Sequence, residues 1–137
     1  MKKQHVYSIV MLGLLSLAGS AFAQTINVRS DVPFSFSVAG KSMPAGHYTI
    51  QSATADGKTL ALVGDHSRAL VNANGAEQLA PASATKLVFH VYGGEYFLAE
   101  VWTRGNTAGQ QIAPCNRERE LAKAKTANAV EVLAQAR

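Results

Sequence analysis

The chain is expected to fold as a mainly β protein, an antiparallel β-sandwich or barrel-like domain of about 7–8 short strands followed by a C-terminal α-helix. Three observations lead there. Between residues 24 and 102 apolar side chains recur mostly at every second position, the period at which one face of a strand is buried. Turn residues divide that stretch into short pieces, with Pro44-Ala45-Gly46, Asp56-Gly57 and Gly93-Gly94 at the breaks. From residue 117 to 136 glycine and proline disappear while Ala, Glu, Lys, Leu and Arg dominate, a composition that favours helix.

The N-terminal 23 residues read as an export leader. Lys2 and Lys3 supply a positive start, residues 6–18 form an apolar stretch too short to span a bilayer, and Ala21-Phe22-Ala23 has the small-residue spacing that signal peptidase cuts. Cleavage after Ala23 leaves a chain beginning at Gln24, periplasmic or secreted, with no cysteine at the cut to take a lipid and no stable membrane anchor. The division is then a leader at 1–23, a β domain at 24–113 and a helix at 114–137.

The strands follow in order. Ile26 and Val28 alternate with polar neighbours, then Phe34, Phe36 and Val38 alternate with Ser35, Ser37 and Ala39. Pro33 stands near the start of this second strand, where a missing N–H is tolerated. Met43-Pro44-Ala45-Gly46 reads as a tight turn, because proline presets φ for the first central position of such a turn. Tyr48 and Ile50 resume the alternation. Asp56-Gly57 predicts a two-residue hairpin with positive φ at both positions, leading into Leu60 and Leu62. A weaker strand covers residues 68–72, and residues 73–85 read as loop.

The clearest unit is a hairpin of residues 86–92 and 95–102 joined by Gly93-Gly94. A two-residue loop sets the register, so that Tyr92 faces Glu95, His90 faces Phe97, Val88 faces Ala99 and Leu87 faces Glu100. Leu87, Phe89, Val91, Tyr96 and Leu98 then form a core face. The opposite face, with Val88, His90, Tyr92, Phe97, Ala99 and Val101, is too apolar to be left in water. A helix over residues 117–136, capped by Asn116 with Glu118 and Glu120 near its positive end, is the natural cover. Its apolar stripe of Ala122, Ala129, Leu133 and Ala136 is thin. It either docks on the hairpin or associates with a second copy.

Charge and cysteine content narrow the partners. Thirteen basic residues against nine acidic ones give the full chain a net charge of +4; without Lys2 and Lys3 eleven basic residues remain, and the net falls to +2. Residues 24–116 are balanced at six of each, so the excess lies in the tail. Such a surface does not fit nucleic acid. Cys115 is the one cysteine, so no intrachain disulfide forms and stability has to come from packing.

Five motifs follow one another: Val32-Pro33-Phe34-Ser35-Phe36, Gly40-Lys41-Ser42-Met43-Pro44-Ala45-Gly46-His47-Tyr48, Lys86-Leu87-Val88-Phe89-His90, Tyr96-Phe97-Leu98-Ala99-Glu100-Val101-Trp102 and Arg117-Glu118-Arg119-Glu120-Leu121-Ala122. In this order the chain resembles an uncharacterised family of small signal-peptide-bearing exported bacterial proteins. The resemblance implies a single exported β domain, and it assigns no catalytic or ligand residue.

The residues that could carry chemistry are few. His47, His66 and His90 are the histidines beyond the leader, but their spacing matches no metal motif. Asp65-His66-Ser67 holds the residue types of a hydrolytic triad, yet three consecutive residues cannot align as one relay, and a turn is the expectation. Glu95 and Glu100 have odd spacing on one strand and so fall on opposite faces, Glu100 toward the core side with a basic partner at the rim. Tyr92 and Phe97 share a face; Trp102 falls on the other. The expectation is therefore a non-catalytic binding or structural protein of the cell envelope, with no cofactor or metal and a ligand or partner face at His90, Tyr92 and Phe97. A homo-oligomer through the C-terminal helix is one form of partner. The alternatives are a small metal-dependent or hydrolytic enzyme using His47, His66 or His90, and a carrier of an apolar ligand.

Overall fold

The structure, a computed structural model, describes residues 25–136; the leader and its cleavage point lie outside the described residues. The elements are β1 (Asn27–Val32), β2 (Phe36–Val38), β3 (Lys41–Met43), β4 (Gly46–Ser52), β5 (Thr59–Gly64), β6 (Arg68–Glu77), β7 (Lys86–Tyr92), β8 (Glu95–Trp102), β9 (Ala108–Ile112), α1 (Asn116–Ala124) and β10 (Asn128–Ala136). Eight strands close an antiparallel barrel in the order β8, β7, β10, β1, β4, β5, β6, β9 and back to β8. β2 and β3 form a small hairpin attached to β8 by one parallel pair, Ser37 with Phe97.

Two strands turn the corners of this barrel. β6 pairs with β5 through residues 68–72 and with β9 through residues 73–77. β10 pairs with β7 through residues 128–133 and with β1 through residues 134–136. Strands that switch partners in this way let two sheets close on one another. The seam between β8 and β9 is only two pairs long, Glu100 opposite Gln111 and Val101 opposite Gln110.

An eight-stranded barrel is just wide enough to be filled by side chains or to hold one small ligand. Here it is filled. Ile50, Leu60, Phe89 and Val101 have no solvent exposure, and Val28, Leu62 and Leu87 have 1%. Phe34, Phe36 and Val38 do share the inward face that alternation predicts: Phe34 and Phe36 meet Phe89 edge-on at 4.9 and 5.3 Å, and Phe34 stacks on Tyr96 at 4.0 Å. The β2–β3 hairpin adds Met43 to the same core. Its turn at Ala39 and Gly40 has positive φ at both positions, as does Gly93-Gly94, which is the twist a two-residue hairpin needs.

Several elements differ from the sequence expectation. The helix ends at Ala124, and residues 128–136 form a barrel strand; pairing with two neighbours outweighs the intrinsic preference of an Ala-rich segment. Residues 24–113 and 114–137 are consequently not separable units. α1 is capped at Cys115, with no side-chain hydrogen bond, instead of at Asn116. β6 continues to Glu77 through what reads as loop, and β9 begins at Ala108. The β4–β5 connection spans residues 53–58, with positive φ at Gly57 and not at Asp56; Asp56 instead accepts hydrogen bonds from Thr54 Oγ1 at 2.5 Å and Lys58 N at 3.0 Å.

The β7–β8 register holds from Tyr92–Glu95 to Phe89–Leu98 and then shifts by a bulge. Beyond it Val88 faces Glu100, Leu87 faces Val101 and Lys86 faces Trp102. One extra residue reverses the faces of everything after it. Val101 therefore points into the core, while Glu100 and Trp102 lie on the outer face.

Candidate functional site beneath the helix

α1 lies over the part of the outer face of β7, β8 and β9 that carries His90, Tyr92, Ala99 and Gln111, so the helix docks on its own barrel. Alternation along β7 sends Leu87 and Phe89 inward and His90 and Tyr92 outward, under the helix. Glu118, in the first turn of α1, is its one buried residue and is 6% exposed. Its Oε1 lies 3.1 Å from His90 Nδ1. An ionised carboxylate only accepts, so with Glu118 ionised the contact requires a His90 form that carries a proton on Nδ1.

Tyr92 lies in the same cleft, 6% exposed. Burial pushes its phenol above the ordinary value of 10.0, and the negative charge of Glu118 pushes it further. Phe97 meets the Tyr92 ring edge-on at 5.9 Å, and the His90 ring is 6.4 Å from Tyr92. The three residues expected on the ligand or partner face are thus contiguous. Between helix and sheet remains a cleft of about 170 Å³, with Ala99, Ile112, Pro114 and Ala122 as its apolar walls.

Glu118 is the site residue that sequence reasoning misses. At the sequence level it reads as a favourable charge at a helix N-terminus. The available signal was the thinness of the helix's apolar stripe, since a helix that buries little hydrocarbon needs a polar anchor to hold its place.

The other candidates lie elsewhere. His47 points outward from β4 and pairs with Asp31 on β1, both side chains about three-quarters exposed. With Arg29, Thr49 and Asp65 they line an open groove of about 720 Å³ across β10, β1, β4 and β5. His66 lies in the β5–β6 turn, where Gly64 N donates to Ser67 O at 2.8 Å; Asp65-His66-Ser67 is a turn, as expected. Among the described residues no group of three or more His, Cys, Asp or Glu side chains is placed to hold a metal ion.

The carboxylates expected on opposite faces of β8 share the outer face because of the bulge, and each has a partner. Glu95 accepts from Arg117 at 3.2 Å, and Glu100 accepts from the indole N–H of Trp102 at 2.7 Å in place of the basic rim partner. Trp102 shares the side of Tyr92 and Phe97 but packs with Ala82 and Val88 at the far end of the hairpin. Cys115 is half-buried, its thiol unbridged, beside a second groove with Arg117 and Arg119.

Fold and site together define a closed eight-stranded antiparallel barrel with a solid interior and an external helix latched by the buried carboxylate of Glu118 on the partly exposed imidazole of His90. No known protein family, characterised protein or solved structure matches the chain.

Proposed function

We propose that this protein is an exported, non-catalytic binding or structural component of the cell envelope that works through its outer surface. The observation that carries this reading is the filled barrel. A barrel of this size that carries cargo holds it inside, and here Phe89, Ile50, Leu60 and Leu62 occupy that volume. The polar groups also serve the fold: Glu118 is engaged by His90, Glu95 by Arg117 and Glu100 by Trp102. The leader at residues 1–23 supports export. Apolar side chains inside and Arg29, Asp31, His47 and Thr49 outside are the reverse of a barrel that faces lipid.

The carrier of an apolar ligand is the second reading, favoured by the cleft beneath α1. Its 170 Å³ is comparable to the roughly 150 Å³ cavity that takes up benzene, so its cargo would be small. Native mass spectrometry of protein taken directly from its host tests both. A macromolecular partner or a second copy retained without metal is the expected result, and a retained small apolar molecule establishes the carrier. Stoichiometric zinc or copper that disappears on His90→Ala overturns the non-catalytic reading in favour of a metal-dependent enzyme.

A further inference from the structure

The last strand of the barrel is built unlike the others. β10 pairs on both edges, with β7 and with β1, yet none of its nine residues is buried. β1, by contrast, alternates exposed and fully buried positions. The inward residues Val132 and Ala134 only border the core, and Leu133 points out, 72% exposed. What holds β10 is its ladder of backbone hydrogen bonds and a few specific contacts. Ser30 Oγ donates to Leu133 O, Lys86 Nζ to Glu131 Oε1 and Ala134 N to Thr85 O, at 2.9, 2.6 and 2.9 Å. A strand with so little apolar burial belongs to the least stable part of a fold.

Its sequence also prefers another state. Residues 117–136 carry a helical composition without a break, whereas the structure breaks the helix at Lys125, whose backbone is extended. A helix former held as a strand by tertiary pairing is a local conflict, and two conformations of one segment separated by little free energy can exchange. Withdrawal of β10 bares the edges of β7 and β1, which seek a new strand.

We propose that β10 is an exchangeable strand, and that the slot between β7 and β1 accepts the β10 of a second copy of this chain, giving a strand-swapped dimer hinged at residues 125–127. The occupant follows from fit. The ladder partners of β10 lie on β7 and β1 and its specific contacts run to Ser30, Lys86 and Thr85, all in the barrel body, so a second copy's β10 reproduces each of them in the same register. α1 stays latched on its own barrel through Glu118 and His90. This goes beyond the envelope-component reading, in which a retained second copy does not say which segment joins the copies, and the cysteine pair below reads strand exchange alone.

Two measurements test it on the full chain. Hydrogen exchange of the unmodified protein is expected to show the amides of residues 130–133 opening roughly tenfold or more faster than those of Ile50 and Leu62; equal protection overturns the proposal. Arg29 and Gln135 are direct cross-strand partners, at a spacing that suits a disulfide. In a Cys115→Ser background, Arg29→Cys with Gln135→Cys forms an intrachain bond in the unswapped monomer. Incubated reduced at increasing concentration and then oxidised, it is expected to give covalent dimers whose fraction rises with concentration. Intrachain bonds at every concentration overturn the proposal, as does a dimer that the cysteine pair never links covalently.

Discussion

Trp102 lies flat against the backbone of β9, and Gly109 makes this contact feasible. A Cβ on Gly109 would fall 2.5 Å from Trp102 Cε3, well inside van der Waals contact. The indole cannot swing aside without giving up its 2.7 Å hydrogen bond to Glu100. Gly109→Ala is therefore expected to destabilise the fold by about 1–3 kcal/mol, the usual cost of overpacking. Urea unfolding followed by the fluorescence of Trp102, the single tryptophan, checks this directly; an unchanged midpoint means that the strand yields freely. The same residues show where sequence pattern runs out. Gly93-Gly94 fixes the first pairs of the hairpin correctly, but nothing in Leu98-Ala99-Glu100 marks an extra residue. The bulge lets β8 serve β7 on one edge and β2, then β9, on the other, a demand set by strands remote in sequence.

At the scale of elements, α1 is held by a polar anchor more than by hydrocarbon. Tyr92 reports on that anchor. Its folded-state pKa lies above the unfolded value of 10.0 because the cleft excludes water and Glu118 is negative. The contribution of the neutral phenol is thus fully present below pH 10 and is lost as pH rises through the folded value. Denaturation midpoints measured up a pH series are expected to fall more steeply above pH 10 for the unmodified protein than for Tyr92→Phe. Parallel curves would show that the phenol is not held in the cleft. The apolar outer face of the β7–β8 hairpin was legible in sequence, and so was its need for a helical cover; His90, Tyr92 and Phe97 lie there. β10 was not, because Ala, Glu, Leu and Gln favour helix locally, and the alternation of Val130, Val132 and Ala134 is too short to outweigh that composition.

Across the whole molecule, Phe89 is the point where the barrel and the β2–β3 hairpin meet, with Phe34 and Phe36 edge-on against it. It has no solvent exposure, and the aromatic residues around it cannot collapse into the space it leaves. Phe89→Ala is expected to cost about 3–5 kcal/mol, with loss of signal from both ends of the barrel in a single transition. Circular dichroism and Trp102 fluorescence with coincident midpoints verify the cooperativity; separate midpoints would divide the barrel into two folding units. The β class and the inward residues of the early strands were readable because burial on one face imposes period two. Closure was not readable, since it depends on which strands turn the corners.

Closure also sets a schedule. β1, which begins at Asn27, has β10, which ends at Ala136, as its neighbour on one side, so the ring stays open until nearly the whole described chain has been made. A nascent chain of this design can pair β1, β4, β5 and β6 and the β7–β8 hairpin as they emerge, but it becomes a closed barrel only once β10 has been made.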